Sequence, residues 1–383
     1  MILKSERIAA IVGVAESDLG LVPGKNVLQL QAQAAKAALD DAGFTKDDVD
    51  ALFTAGNWAW APNLMLGEYL GIKPKFTDGT NIGGSSFESH VGHALAGIRA
   101  GLFDVALITY GSTQRSNPAR GAAVPFAPLT EQYERSFGLP MTVGAYALAA
   151  IRHMHQYGTT SEQLAEIAVA TRKWAMRNEK AMMREPIEIE DVLKSRMIAE
   201  PLHLLDCCLV TDGGGAVVVA SARAAARAKK RPVWILGHGE THTHNSIANM
   251  PDLTMTGARE SGRRAFEMAG VTHDEIDVAE IYDSFTITVL LTLEALGFCE
   301  PGEGGAFVSG QRTAPGGAFP MNTNGGGLSY THPGMYGIFL LIEAARQLRG
   351  EGGERQVPNA KLALVNGTGG VLSSTSTVIL GRD

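Results

Sequence analysis

The sequence contains only three cysteines, and none of them is spaced to form a zinc site. Cys207 and Cys208 are adjacent and cannot easily bridge each other, and Cys299 lies far along the chain. We therefore expect reduced structural thiols and a reducing cell compartment. No apolar run reaches the ~18 residues of a membrane-spanning helix. The N-terminal segment becomes acidic too early for a secretory signal, so the sequence predicts a cytoplasmic protein.

Positive charge is also scarce. The chain has 33 Lys and Arg against 40 Asp and Glu, which gives a formal net charge of -7. This balance argues against nonspecific binding to nucleic acid or to an anionic membrane, and we expect a small-molecule substrate. A hydrophobic fraction of 45% with 19% charged residues is ordinary for a soluble globular protein. At 383 residues, two domains or a duplicated core are expected.

The chain contains an internal repeat. Residues 36–50 align with residues 263–277 at a constant offset, and each copy reads as an amphipathic helix closed by a glycine and an acidic turn. The matched pairs are Ala38 and Ala265, Ala42 and Ala269, Gly43 and Gly270, Thr45 and Thr272, Asp47 and Asp274, and Asp50 and Asp277. In both copies a strand, a Gly-rich turn, an apolar helix and another strand follow. The repeat predicts an α/β architecture with two packed halves.

We place the first half at residues 1–225 and the second at residues 226–383. The region of about 113–205 is rich in helix-forming, Met and Arg residues, so we expect an inserted loop or cap domain there.

The stretch "NIGGSSFESH", residues 81–90, predicts the entry to a buried helix. From Phe87 onward, the apolar side chains recur at the three-four spacing of a helix, which puts Ser86 in its first turn. A helix N-terminus carries unpaired N–H groups and a partial positive charge, so it can bind an oxyanion or acidify a thiol. This stretch offers no thiol.

Three motifs together resemble the thiolase superfamily, and within it the sterol-carrier-protein-type thiolases and the related lipid-transfer proteins. They are "GGGLSYTHPGMYG", "IYDSF" at residues 281–285 and "NGTGG" at residues 366–370. The resemblance covers essentially the whole chain. It implies a five-layer αβαβα fold built from two duplicated halves with an inserted loop domain, and chemistry on acyl-CoA thioesters. By the same resemblance, His332 matches the active-site histidine of the family.

The departures from the thiolase pattern concern its two cysteines. Counting back from Gly101, the acyl-accepting cysteine of the family falls at Gly84, and the second cysteine becomes Asn366. We therefore do not expect covalent Claisen chemistry. Ser85 is the neighbouring hydroxyl, but a serine nucleophile needs an adjacent base.

What remains can still stabilise an enolate, because each preorganised hydrogen-bond donor contributes about 3 kcal/mol. The residues expected around the thioester oxygen are Gly84, Ser85, Ser86, Asn366, Gly367, Gly369 and Gly370. Cleavage without an acyl-enzyme is the chemistry that fits, and a retro-aldol reaction is of that kind. Tyr282 occupies a catalytic position of the family, and Tyr330 and Tyr336 flank His332 as further candidates. A tyrosine base needs its pKa lowered by a neighbouring cation or donor, and His332 is the local candidate.

This pattern resembles the steroid side-chain aldolases, which are relatives of thiolase. The resemblance implies cleavage of a 17-hydroxy C22 acyl-CoA into a 17-ketosteroid and propionyl-CoA. It also implies a homodimer core that binds two small zinc-ribbon and OB-fold partners in a heterotetramer. We expect no permanently bound cofactor, with the CoA thioester as substrate and zinc only on the partner.

Three further sets of residues are assigned from the sequence. Asp283 either orients a neighbour or caps the following helix, and capping is the preferred interpretation. The basic residues Arg172, Lys173 and Arg177 are candidates for binding the CoA phosphates, and a solvated helix face is the alternative interpretation. His242 and His244 lack nearby carboxylates or cysteines and are taken as loop residues, so no metal is expected on this chain.

Two other functions stay open at this stage. One is a thiolase or acyltransferase that uses Ser85 or a displaced thiol, and the other is a noncatalytic scaffold that binds acyl-CoA. Thiolysis of acetoacetyl-CoA by free CoA, or an acyl-serine adduct, separates the first of these from an aldolase.

Overall fold

The computed structural model describes residues 6–56, 58–117, 128–139 and 142–383. Its strands are β1 (Ala9–Glu16), β2 (Ala51–Thr54), β3 (Phe76–Asp78), β4 (Val105–Ser112), β5 (Met197–Ala199), β6 (Leu202–His203), β7 (Gly213–Ser221), β8 (Val233–His242), β9 (Val278–Ile281), β10 (Leu362–Gly369) and β11 (Ser374–Gly381).

The α-helices of the described ranges are α1 (Val27–Ala42), α2 (Pro62–Leu70), α3 (Ser86–Arg99), α4 (Pro128–Tyr133), α5 (Val143–Tyr157), α6 (Ser161–Ala175), α7 (Ile189–Lys194), α8 (Ala222–Ala225), α9 (Ala258–Ala269), α10 (Thr286–Leu296), α11 (Gly304–Val308) and α12 (Gly337–Arg349). No helix in these ranges is long and apolar enough to cross a membrane.

Nine strands form one continuous sheet that contains the same topology twice. Its order is β3-β2-β4-β7-β1-β8-β11-β10-β9. In the first half β2 is parallel to β4, and β7 is antiparallel to both β4 and β1. In the second half β9 is parallel to β10, and β11 is antiparallel to both β10 and β8. The halves join where Ala10 and Ile11 of β1 pair with Trp234 and Val233 of β8.

The repeat predicted from the sequence is present in the backbone. Helices α1 and α9 both end at a glycine in the left-handed conformation, Gly43 with φ 74° and Gly270 with φ 66°. A short helical turn follows each glycine, at Lys46–Asp48 and at His273–Glu275. A glycine in this position closes a helix without a steric penalty, which is why the two copies end alike.

The two halves of this sheet, joined through β1 and β8, form the two β layers of a five-layer αβαβα stack. Helix α1 packs on β1, β4 and β7, and α9 packs on β8 and β11. Helices α3 and α12 form the central layer, because each of them contacts strands of both halves as well as the other helix. The expected thiolase-like fold class is confirmed, and α3 begins at Ser86 as predicted. The predicted residues Gly84 and Ser85 therefore lie at the start of a helix that contacts both halves.

The predicted insertion falls between β4 and β7. Its described part contains helices α4 to α7 and the two-stranded sheet of β5 and β6. Residues 118–127 and 140–141 of the insertion lie outside the described residues.

Candidate active site

Tyr282 and His332 form a hydrogen-bonded pair in the core. Tyr282 follows β9 directly, and its backbone amide donates to the carbonyl of Asn366 on β10 over 2.9 Å. Its hydroxyl oxygen lies 2.9 Å from Nε2 of His332. The same oxygen accepts a hydrogen bond of 3.0 Å from the backbone amide of Tyr336. The structure thus brings together three of the predicted residues around one phenolic oxygen.

Burial sets the charge state of the pair. Burial raises the pKa of Tyr282 well above 10.0 and lowers the pKa of His332 to about 4. Both side chains are therefore neutral at pH 7, and in the tautomer that carries its proton on Nδ1 the imidazole accepts at Nε2 from the Tyr282 hydroxyl. The expectation that His332 lowers the pKa of the tyrosine is wrong, because the imidazole carries no charge in this desolvated position. The pair can relay a proton instead.

Gly84 lies against the ring of Tyr282. A Cβ atom at this position would fall 2.2 Å from Cε2 of Tyr282 and 2.5 Å from the carbonyl oxygen of Thr368. A side chain does not fit there unless the neighbours move, because real Cβ atoms essentially never make contacts shorter than 3.0 Å. The phenol ring thus fills the space that a cysteine side chain at position 84 would need.

Backbone contacts from the first half hold His332 in place. The His332 amide donates to Oγ1 of Thr211 over 3.0 Å, and the Thr211 amide donates to the His332 carbonyl over 3.2 Å. The Tyr110 hydroxyl of β4 donates to the carbonyl of Pro333. Thr211 and Tyr110 were not predicted as positioning residues. No local signal could reveal them, since 121 residues separate Thr211 from His332.

Asp283 holds the glycine-rich turn of Gly326–Tyr330. Its carboxylate accepts hydrogen bonds from the amides of Gly327, at 2.6 Å, and Leu328, at 3.1 Å. The predicted capping of the next helix is wrong, because Phe285 occupies the N-cap of α10. Burial raises the pKa of Asp283 to about 7, although the two amides oppose the shift. Asp283 therefore orients the segment that leads to His332, which was the other interpretation.

The other two tyrosines point in different directions. The ring of Tyr336 stacks on His332 with 6.2 Å between centroids, and its hydroxyl donates to Oδ1 of Asn324 over 2.7 Å. The hydroxyl of Tyr330 donates to Oε1 of Glu16 over 2.9 Å. Glu16 is also paired with Arg346, which keeps its pKa low despite burial. The structure brings Tyr336 to the pair and directs the Tyr330 hydroxyl away from it.

The serines before and at the start of α3 form hydrogen bonds within the chain. Oγ of Ser85 lies 2.9 Å from Oγ of Ser374, and no acidic or imidazole group contacts it within the described chain. The Ser86 amide donates to the carbonyl of Gly83 over 3.0 Å, so this N–H is not free for an oxyanion. Ser85 therefore has no base in direct contact, and the imidazole of His242 is linked to it only through the hydroxyl of Ser374.

Asn366 bonds Tyr282 through its backbone carbonyl and not through its side-chain amide. The Asn366 side chain donates to Oγ1 of Thr377 over 2.8 Å, and Thr377 in turn contacts Ser261 of the outer helix α9. Gly367 and Gly369 follow Asn366 on β10 and face the central layer, because a Cβ at either position would meet atoms of Ser85. Gly370 follows with φ +62° and accepts from the Tyr146 hydroxyl at 3.3 Å.

Among the basic residues, Arg172 is buried and internally bonded. It donates to Oγ of Ser329 over 2.9 Å and to the carbonyl of Glu185 over 2.7 Å. These bonds leave it poorly placed for a CoA phosphate. Arg177 is exposed, with its guanidinium 5.8 Å from the ring centroid of Trp174, and Lys173 is partly exposed. Their predicted contact with CoA stays a prediction.

Outside this site, a cavity of about 430 Å³ opens between α9 and the end of α10, and none of its lining residues belongs to the tyrosine and histidine pair. Over the described ranges, no three His, Cys, Asp or Glu side chains are grouped to hold a metal ion. His242 contacts Ser374 and His244 contacts the carbonyl of Val371.

Comparison with known proteins finds relatives of the thiolase superfamily. Residues 239–382 match the family model "Thiolase C-terminal domain-like". The chain is 34% identical to the steroid side-chain-cleaving aldolase of Thermomonospora curvata, over 98% of each chain. It is 35% identical to the 17-hydroxy-3-oxo-4-pregnene-20-carboxyl-CoA lyase of Mycobacterium tuberculosis, over 97% of this chain and 99% of the other.

A solved structure agrees with these relatives. The "Ltp2-ChsH2(DUF35) aldolase" superposes with a TM-score of 0.91 at 32% identity, and the match covers 99% of both chains.

Proposed function

This chain belongs to the thiolase superfamily, in the sterol-carrier-protein-type branch that includes the side-chain-cleaving aldolases, and from this we propose that it is a carbon–carbon lyase acting on a β-hydroxyacyl-CoA. The substrate that we propose is a 17-hydroxy steroid with a C22 side chain held as a CoA thioester. Retro-aldol cleavage of its α–β bond gives a 17-ketosteroid and propionyl-CoA. The CoA thioester is thus a substrate and not a resident cofactor.

One observation carries this proposal. The ring of Tyr282 occupies the space beside Gly84, and its hydroxyl contacts Nε2 of His332 at 2.9 Å. An acyl-transferring thiolase needs a nucleophile at that place, whereas a lyase needs a proton-transfer group. A proton-transfer group stands where an acyl-transferring thiolase needs its nucleophile, which supports cleavage without an acyl-enzyme.

The proton path follows from the neutral pair. The Tyr282 oxygen takes the proton of the substrate β-hydroxyl while its own proton passes to Nε2 of His332. The α–β bond breaks, the β-carbon becomes a ketone, and the electron pair moves into the enolate of the thioester. The proton then returns from His332 through Tyr282 to the α-carbon, so the reaction needs no external acid or base. The Tyr336 amide stabilises the negative charge that develops on the Tyr282 oxygen.

The alternative nucleophiles are poorly activated. Ser85 contacts only a second serine hydroxyl through its side chain. Burial, followed by the charge of Asp283, raises the pKa of the Cys208 thiol far above 9.0. A thiol that stays protonated is a weak nucleophile, which disfavours an acyltransferase that uses a displaced cysteine.

A panel of β-hydroxyacyl-CoA thioesters tests the reaction class directly. We expect release of a ketone and a shortened acyl-CoA from tertiary β-hydroxy substrates, detected by mass spectrometry. Acetoacetyl-CoA with free CoA serves as the comparison, and its thiolysis should be negligible. Rapid thiolysis with no cleavage of the hydroxy thioesters would refute the proposal.

The Ser85→Ala variant separates the lyase from an acyl-serine enzyme. It removes one hydrogen bond to Ser374 and should lower kcat by no more than ~10-fold. Steady-state kinetics on the β-hydroxyacyl-CoA measures the effect. Almost complete loss of turnover, together with an acyl adduct on the wild-type chain, would instead assign the nucleophile to Ser85.

We also propose the assembly that the family resemblance implies, a homodimer core with two small partner proteins that carry any zinc, located in the cytoplasm. A partner is supported by the two-protein name of the "Ltp2-ChsH2(DUF35) aldolase". Light scattering of the purified chain should give twice its mass of 40.5 kDa. A stable, active monomer would contradict the homodimer core.

A further inference from the structure

A buried carboxyl group lies one helical turn beyond Gly84. Glu88 of α3 has no exposed surface. Neither of its carboxyl oxygens has a hydrogen-bond partner within the described chain. Unpaired buried polar atoms are rare in native proteins, and each one calls for a physical explanation. A structural role alone does not explain Glu88, because an apolar side chain would fill the same space without a desolvation cost.

Two glycines make room for this carboxyl. A Cβ at Gly337 would lie 2.4 Å from its Oε2 atom, and a Cβ at Gly367 would lie 2.3 Å from the same atom. Both glycines adjoin the backbone that holds the catalytic tyrosine. Gly337 follows Tyr336, whose amide donates to the Tyr282 hydroxyl, and Gly367 follows Asn366, whose carbonyl accepts from the Tyr282 amide. The carboxyl therefore sits between the two segments that fix Tyr282.

No charged side chain shifts the pKa of Glu88. Burial raises that pKa to about 8. The titratable groups on and around α3 include Tyr282 after β9, Tyr336 before α12, Tyr110 on β4, His332, His238 and Glu240 on β8, and His90 and His93 on α3 itself. Burial raises the pKa values of the three tyrosines and lowers those of His332, His90 and His238 to about 4. His93 and Glu240 are the charged members, because they bond each other, and the pKa of His93 is raised to about 9.

We propose that Glu88 is a positioning residue for the cleavage reaction, and that it acts as a neutral carboxylic acid between the backbone segments that hold Tyr282. This inference rests on the proposed lyase function. Loss of its proton would place an unpaired negative charge between the backbone segments that hold Tyr282, in a site where the enolate becomes negative during the reaction. Like charges repel strongly where water is excluded. Turnover is therefore full while Glu88 is protonated and is lost as the pH rises through its pKa.

The Glu88→Gln variant tests this, because the amide mimics the neutral acid and cannot ionise. We expect wild-type kcat on a β-hydroxyacyl-CoA to fall about tenfold per pH unit above the pKa of Glu88. In the variant that alkaline fall should move upward by at least about one pH unit, with KM unchanged and kcat at pH 7 within about fivefold. Glu267→Gln, on the exposed face of α9, is the matched control and should keep the wild-type profile.

A second measurement tests the inference if the Glu88→Gln variant folds poorly. The infrared difference spectrum between the wild-type protein and Glu88→Asp at pH 7 should contain the shifted carbonyl band of a protonated carboxylic acid, which distinguishes Glu88 from the buried Asp283, and kcat should fall in this variant. A wild-type chain that cleaves no β-hydroxyacyl-CoA would overturn the proposed function and this inference with it. Cleavage with the same alkaline profile in Glu88→Gln, or an ionised Glu88 at pH 7, would overturn the inference alone.

Discussion

Replacing Tyr282 by Phe should lower kcat by at least ~100-fold, and by up to ~10⁴-fold, while KM changes little. The substitution deletes the oxygen that contacts Nε2 of His332 and keeps the ring that packs on Gly84. Proton transfer matters mainly in the transition state, so the loss falls on kcat. Steady-state kinetics on the cleaved β-hydroxyacyl-CoA measures both constants.

The fold should survive this substitution. The amide of Tyr336 loses its acceptor, which costs about 1–3 kcal/mol of unfolding free energy. Tyr330→Phe is the control, because it also deletes one buried hydroxyl but removes a bond to Glu16 rather than to His332. It should reduce stability by a similar amount and leave kcat within about tenfold of wild type. Equal kcat losses in the two variants would speak against a proton relay through Tyr282.

Gly84→Ala should abolish most activity although alanine carries no reactive group. Its Cβ would fall 2.2 Å from Cε2 of Tyr282, so the ring must move out of line with His332. We expect a kcat loss of at least ~100-fold and a decrease of about 1–3 kcal/mol in unfolding free energy from overpacking. Kinetics together with chemical denaturation measures the two effects.

Gly24→Ala supplies the comparison for Gly84. A Cβ at Gly24 meets no atom within 4 Å, so this variant should match the wild type in turnover and stability. Normal turnover of Gly84→Ala would mean that the contact between this glycine and the tyrosine ring does not position the reacting group.

The sequence was most informative where the signal is periodic or repeated. The spacing from Phe87 onward placed the start of α3 at Ser86, and the alignment of Gly43 with Gly270 identified two equivalent helix ends. These features depend on local chain geometry, which a single sequence contains. The fold class followed from the family resemblance, which rests on three motifs of the second half.

Side-chain direction and charge state were less predictable. Tyr330 and Tyr336 both flank His332 in the sequence, yet one hydroxyl bonds Glu16 and the other bonds Asn324. The sequence also could not show that burial keeps His332 neutral, or that Glu88 lies unpaired between two glycines. Each of these properties depends on residues that are distant in the chain and meet only after packing.

The central claim is that the chain cleaves a carbon–carbon bond without forming an acyl-enzyme. Single-turnover incubation with the CoA thioester of a 17-hydroxy C22 steroid acid, without free CoA, tests it most directly. We expect equal amounts of 17-ketosteroid and propionyl-CoA in the quenched mixture, and an intact protein mass that does not change. Cleavage that requires added CoA, or a protein mass raised by an acyl group, would contradict the claim.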